Sequence, residues 1–147
     1  MDYVNQGGNL IVQYNRNNIG NPGVKIGPYP FAISSSRVTD ETAKVDFLLP
    51  DHRVLNYPNK ITEKDFEGWI QERGIYFINQ LDPRYEPILS MHDPDEKAQN
   101  GSLVTANSGK GTFVYTGLVF FRELPAGVPG AYRLLANIIA LNQKAGF

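Results

Sequence analysis

A guanidinium and a carboxylate stand side by side at Arg122 and Glu123, at the end of the apolar run "GKGTFVYTGLVFF" (residues 109–121). Arg122 offers planar donors suited to a carboxylate, a phosphate or sugar hydroxyls. Glu123 is either a ligand contact or half of a structural ion pair with Arg122 or another base, and both readings stand at this point. A second candidate is "MHDPDE" (residues 91–96), where His92 is followed by Asp93, Asp95 and Glu96. A histidine with carboxylates can hold a metal weakly, but a turn built on Asp and Pro explains the same letters and is the reading adopted. The only other histidine is His52, in "PDHRVLN", read as a group that pins its loop. The stretch "FEGWIQERGIYF" (residues 66–77) brings Trp69, Glu72, Arg73 and Tyr76 together. Aromatic surface beside charge is a way to grip sugars, yet Phe66, Trp69 and Ile70 at helical spacing read as core. Glu72 and Arg73 stay open. There is no cysteine, so the chain has no thiolate nucleophile, disulfide or cysteine-held zinc. The "GKG" at residues 109–111 lacks the rest of a phosphate-cradling pattern and reads as a hairpin turn. Neither a metal nor another cofactor is expected.

The elements that must position these groups alternate between strand and helix signals. "MDYVNQGGNLIVQYN" reads as the last turn of a helix, a stop at Gly7-Gly8 and a strand from Leu10 to Tyr14. A domain seldom begins on a helix end, so an N-terminal strand and most of a helix are expected to be missing. Residues 15–30, rich in Asn, Gly and Pro, read as a long loop leaving a strand's carboxyl end. "FAIS" could pair at a sheet edge, and Val45, Phe47 and Leu49 alternate as in a half-buried strand. "ITEKDFEGWIQERG" reads as a helix capped by Thr62 with Asp65, with Phe66, Trp69 and Ile70 on its apolar face and Gly74 as its stop. Strand signals follow at "GIYFI", "EPILSM" and "SLVTAN", and the run ending at Phe121 is the longest. A final helix should start at Pro129, turn Leu134, Leu135, Ile138 and Ile139 inward, and place Lys144 near its negative end.

This order implies one domain over residues 1–147, with an open α/β sheet and helices on its faces. Ligands bind such sheets outside the carboxyl ends of the strands. That singles out Gln13, Tyr14 and Asn15 after the first strand, and Phe121, Arg122 and Glu123 after the last. His92 joins them as a candidate ligand contact. Fourteen basic residues against fifteen acidic ones give a net charge of -1 without basic clustering, which argues against nucleic acid or an anionic membrane as partner. No apolar run approaches the roughly 20 residues that span a bilayer. The chain is expected to be soluble, with its compartment, cytoplasmic or periplasmic/secreted, left open.

The stretch "GLVFFRELPAGVPGAYRLLANII" (residues 117–139) resembles the end of class I glutamine amidotransferases, where a strand finishes in Phe-His-Pro-Glu and a helix follows. The resemblance puts Phe120 at the Phe, Phe121 at the catalytic His, Arg122 at the Pro and Glu123 at the Glu. It puts Gln13, Tyr14 or Asn15 at the nucleophile. A more extensive likeness runs through "YVNQGGNLIVQYN", "PYPFAISSSRVTDETAKV", "PDHRVLNYPNKITEKDFEGWIQERGIYF" and the closing stretch. It is to the amidotransferase-like region that follows the catalytic domain in large bacterial PIG-L (LmbE-like) deacetylases. This resemblance implies a flavodoxin-like fold, fused in the parent proteins to a zinc-dependent N-acetylglucosamine deacetylase module. With Cys and His both replaced, it implies a non-catalytic accessory domain for docking, substrate positioning or assembly. A sugar or small-molecule binding module at the strand ends, and a hydrolase of unrecognised chemistry, are the alternatives. A missing N-terminal strand would leave a sheet edge open, so a homodimer is expected.

Overall fold

Alternation at period two organises the centre of the molecule. A computed structural model describes residues 1–16, 19 and 25–143. The chain opens with helix α1 (Asp2–Asn5) and strand β1 (Asn9–Gln13), followed by the short strands β2 (Ala32–Ile33), β3 (Arg37–Val38) and β4 (Asp46–Phe47). Two 3-10 turns, Arg53–Leu55 and Glu63–Phe66, precede β5 (Gly74–Ile75), β6 (Ile78–Asn79), β7 (Glu86–Pro87) and β8 (Leu89–Ser90). The longest strands, β9 (Leu103–Ser108) and β10 (Gly111–Thr116), lead into helices α2 (Phe120–Glu123) and α3 (Pro129–Ile139).

The fold is mixed α/β. One four-stranded sheet runs β1-β10-β9-β7, with β1 parallel to β10 and the other neighbours antiparallel. Antiparallel two-strand ladders, β2 with β6, β3 with β5 and β4 with β8, surround it. Side chains leave the sheet alternately to two cores. Phe113 and Tyr115 of β10 join Val104, Ala106, Ile33, Ile78 and Tyr85 in one. Val114 and Leu103 point the other way, into the larger cluster with Leu134 and Ile138 of α3. Both faces of β10 are therefore covered, which is why its apolar run reads as nearly continuous. Among the described residues, a helix of more than one turn covers only the face under α3. The opposite face is closed by non-helical segments carrying Tyr29, Phe31 and Tyr76. Among the described residues no helix is long and apolar enough to cross a membrane.

Several local expectations hold. The β9–β10 hairpin turns at Gly109, whose φ of 58° suits glycine and where a Cβ would lie 2.7 Å from Asn5 Cα. Helix α3 begins with Pro129 and buries Leu134 and Ile138. Others are corrected. Ile139, expected in the core, is 54% exposed, and Leu135 is half-buried against it. Strand β4 stops at Phe47, and Leu49 is exposed where the chain turns toward His52. Lys144 lies outside the described residues, as do residues 17, 18 and 20–24 of the 15–30 loop.

The largest correction concerns residues 62–73. Thr62 and Asp65 form the expected capping box, yet only one 3-10 turn follows, and Glu67 is already extended. Phe66 and Trp69 do enter the core, whereas Ile70 is 38% exposed. Tertiary partners take the backbone groups a helix would have used: the Ile70 N–H goes to Glu123 and the Arg73 N–H to Val38 O. Gly74 is required for a reason other than stopping a helix. It crosses beside Gly117, and a Cβ there would lie 2.4 Å from Gly117 O.

Asn137, fully buried on α3, had no sequence signal as a structural group. Its Oδ1 accepts from the Asn59 N–H (2.9 Å), and its Nδ2 donates to Val54 O and Asn59 O (2.8 Å each), clamping the 54–59 loop to the helix. Truncation would leave these groups buried without partners. Asn137→Ala should therefore lower the unfolding free energy by about 3 kcal/mol in urea titrations; a loss within the ~0.5 kcal/mol typical of surface changes would contradict the clamp.

Candidate functional site at the strand carboxyl ends

Because β1 and β10 are parallel and in register, with Gln13 opposite Thr116, both strands end at one edge of the sheet. The Tyr14 N–H makes the last ladder bond, to Thr116 O at 2.9 Å. Beyond it the backbone of Tyr14 turns left-handed, with φ of 45°. Gln71 and Tyr76 are left-handed too, at 66° and 62°. Each such residue costs on the order of 1–3 kcal/mol and persists only where its surroundings over-determine it. Here the buried Tyr115 hydroxyl does part of that work: it donates to Tyr76 O at 2.5 Å and is hydrogen-bonded by the backbone of Asn15. Burial raises the pKa of this phenol, so it stays protonated and keeps both bonds.

These turns bring three rings together. Tyr14 meets Phe121 at 4.6 Å between centroids and Tyr76 at 4.9 Å, both edge to face. Phe121 is 49% exposed, and Tyr14 and Tyr76 are half-buried. The Arg122 guanidinium lies 5.0 Å from the Phe121 centroid. It donates from Nε to Glu72 Oε1 (3.0 Å) and from Nη1 to Gln71 Oε1 (2.8 Å). Burial and the nearby Glu72 carboxylate raise the Tyr14 pKa, so its phenol is protonated at neutral pH and can both donate and accept. The result is an aromatic surface edged by a held guanidinium, a carboxylate and an amide.

Arg122 and Glu123 do not pair with each other. Glu123 is fully buried and accepts the Ile70 N–H with both oxygens, at 2.5 and 3.3 Å. Arg122, Glu123 and Phe121 also stand on a helical turn, α2, and not at a strand end, since β10 stops at Thr116. Gln13 is exposed at the end of β1 and Asn15 is half-buried beyond it. His92 is not brought to this group. It is exposed on the turn after β8, and its Nδ1 lies 2.8 Å from Asp93 O, away from the Tyr14, Phe121 and Tyr76 rings that contact one another. The adjacent Asp93 carboxylate is nearly buried and accepts from the Thr39 N–H, the Asp40 N–H and the Thr39 hydroxyl, as a turn-organising group does. Among the described residues no three His, Asp or Glu side chains are grouped to hold a metal ion. His52 caps its turn: Nδ1 accepts from the Val54 N–H, so the neutral ring carries its proton on Nε2, facing Glu86 (3.1 Å) and Thr105 (3.2 Å). That tautomer has no lone pair toward the Thr105 hydroxyl and cannot serve it as a base.

Sequence reasoning missed Gln71 and the separation of its neighbours. Trp69 and Arg73 turn into the core, whereas Glu72 and Tyr76 face the strand-end rings. Gly68, φ 74°, inside an apparent helix was the one available signal that the helix breaks there.

Burial is the main cause raising the Glu123 pKa, opposed by the Ile70 N–H and by Arg73 and Arg122. A carboxyl whose folded pKa lies above its unfolded value contributes stability below the unfolded value and loses it as pH rises through the folded one. Glu123→Gln, which keeps an acceptor for Ile70 without the buried charge, should therefore gain stability relative to wild type between about pH 4 and neutrality. Urea titrations at both ends would show it, and a pH-independent difference would contradict it. No known family model, curated protein or solved structure matches the chain.

Proposed function

We propose that the chain is a non-catalytic, amidotransferase-like accessory domain on a flavodoxin-like plan, and that it positions glycan for an N-acetylglucosamine deacetylase of the PIG-L type. The observation that carries this reading is the ring contact of Tyr14 with Phe121 and Tyr76, beside an Arg122 held by Glu72 and Gln71. Apolar rings with a few fixed polar groups are the composition of small-ligand sites. The amidotransferase-like part draws support from the same pair. The resemblance assigns the nucleophile to the 13–15 turn and the base to Phe121, and these positions touch, with Tyr14 in the left-handed backbone of a strained turn after a strand. The flavodoxin-like part draws support from the parallel β1–β10 pair and its shared carboxyl edge. Without a base at Phe121, and with a phenol kept protonated at Tyr14, glutamine hydrolysis lacks an activated nucleophile.

NMR titration of the whole chain with N-acetylglucosamine oligomers should shift Gln71, Phe121 and Arg122. Phe121→Ala should weaken binding about fivefold or more, equivalent to about 1 kcal/mol. Glutamine should yield no ammonia above buffer. Shifts confined to another face would contradict the glycan reading, and Tyr14-dependent ammonia release would contradict the non-catalytic one.

A homodimer through the sheet edge is a second proposal. It rests on β1 closing the strand order, with Leu10, Ile11 and Val12 half-buried on a strand paired only to β10 among the described residues. Such an edge is a template for another strand. Sedimentation should give concentration-dependent association that Ile11→Pro, at a residue whose N–H faces away from β10, abolishes; a monomer at every concentration would contradict it.

A further inference from the structure

Arg73 is 4% exposed, and among the described residues no carboxylate lies within ion-pairing distance of it. Its Nε and Nη2 donate to Ala43 O (3.2 and 2.8 Å), and Nη1 donates to Phe66 O (2.5 Å). A guanidinium has five N–H donors, so two of them have no acceptor among the described residues. Buried arginines are nearly always paired. Burial pulls the Arg73 pKa down, while Asp40, Glu123 and Glu41 act on it at longer range to keep it charged.

This unpaired cation lines an open cleft of about 580 Å³, within the range of small-molecule sites. Buried Phe66 and Trp69 form its floor beside Arg73, with the guanidinium 5.7 and 5.8 Å from their ring centroids. The exposed charged residues at its mouth are Glu41, Glu63, Glu67 and Lys44, and among the described residues none of the three carboxylates is in an ion pair. Lys44, the cation among them, is taken by Asp46 at 2.9 Å. The cleft is thus positive at its floor and negative at its rim. A simple anion meets repulsion on entry, and a simple cation meets Arg73 at the end of its path. Charge complementarity selects a molecule with one charge of each sign.

We infer that this cleft binds a small zwitterion, taken carboxylate first onto Arg73 with its ammonium group left among Glu41, Glu63 and Glu67. Trp69 and Phe66 cover the carbon chain between the two charges. None of the strand-end rings lines this cleft, so the site stands or falls independently of the glycan reading.

Trp69 is the only tryptophan of the chain, so its emission and its indole N–H resonance report on the cleft directly. The wild-type chain is titrated with glycine, γ-aminobutyrate and ε-aminocaproate, and separately with acetate and pentylamine. At least one zwitterion should give a saturable change in Trp69, with a Kd about tenfold or more below that of acetate or pentylamine. The double variant Glu63→Gln with Glu67→Gln, at exposed positions, should cut that advantage about fivefold or more while acetate binding does not weaken. Arg73→Lys, which keeps the charge and loses the fork, should weaken the zwitterion in a chain whose fold is verified by its NMR spectrum. No saturable change with any zwitterion in either signal, equal affinity for acetate, or an unchanged preference in the rim variant would each overturn the inference.

Discussion

The buried carboxylate of Glu123 fixes where the chain from Gly68 to Tyr76 runs, and the molecule's two candidate binding surfaces follow from that path. By accepting the Ile70 N–H it holds this segment against α2 and removes a donor that helix formation would have used. The segment then divides its side chains between two surroundings. Trp69 and Arg73 go down toward the core and the cleft, while Gln71, Glu72 and Tyr76 go to the strand ends. Burial makes the charge itself costly, so the carboxyl holds its place through the hydrogen bond it accepts, and that makes the contact specific.

Tyr115 is the counterpart on the sheet side. Its ring fills the core opposite α3, and its hydroxyl ties the turn after β5 to the turn after β1. The left-handed backbones of Tyr14 and Tyr76 are thus anchored to the most buried strand of the protein, and rings that would be mobile on free loops are held in contact. Preorganisation of this kind lowers the entropy lost when a ligand docks. The same turns position Phe121 beside Tyr14, edge to face.

Sequence legibility followed the range of the interactions involved. The β9–β10 hairpin and α3 were legible because turn glycines, period-two apolar runs and Pro129 are local signals that tertiary structure did not override. Tyr14 and Phe121 were legible as neighbours because β1 and β10 end at one edge of the sheet, although Phe121 follows on α2 and not at the strand end itself. The helix expected over 62–73 failed for the opposite reason: its capping box is real, but Glu123 and Val38, more than thirty residues away in sequence, took the backbone groups needed to continue it. Gln71 could not be found from composition, since a left-handed backbone at a non-glycine residue leaves no mark in the letters. His92 was drawn in by carboxylates that serve a turn, and the unpaired state of Arg73 is visible only once every carboxylate has a position.

The central claim is that Glu123 holds the strand-end rings together through Ile70. Ring-to-ring NOEs from Tyr14 to Phe121 and Tyr76, measured in wild type and in Glu123→Ala under conditions where both keep the Val114–Ile138 core contacts, test it most directly. The rings should be in contact in wild type and should separate in the variant while the core signals persist. Ring contacts that survive the loss of the carboxylate unchanged, or that are absent from wild type, would contradict the claim.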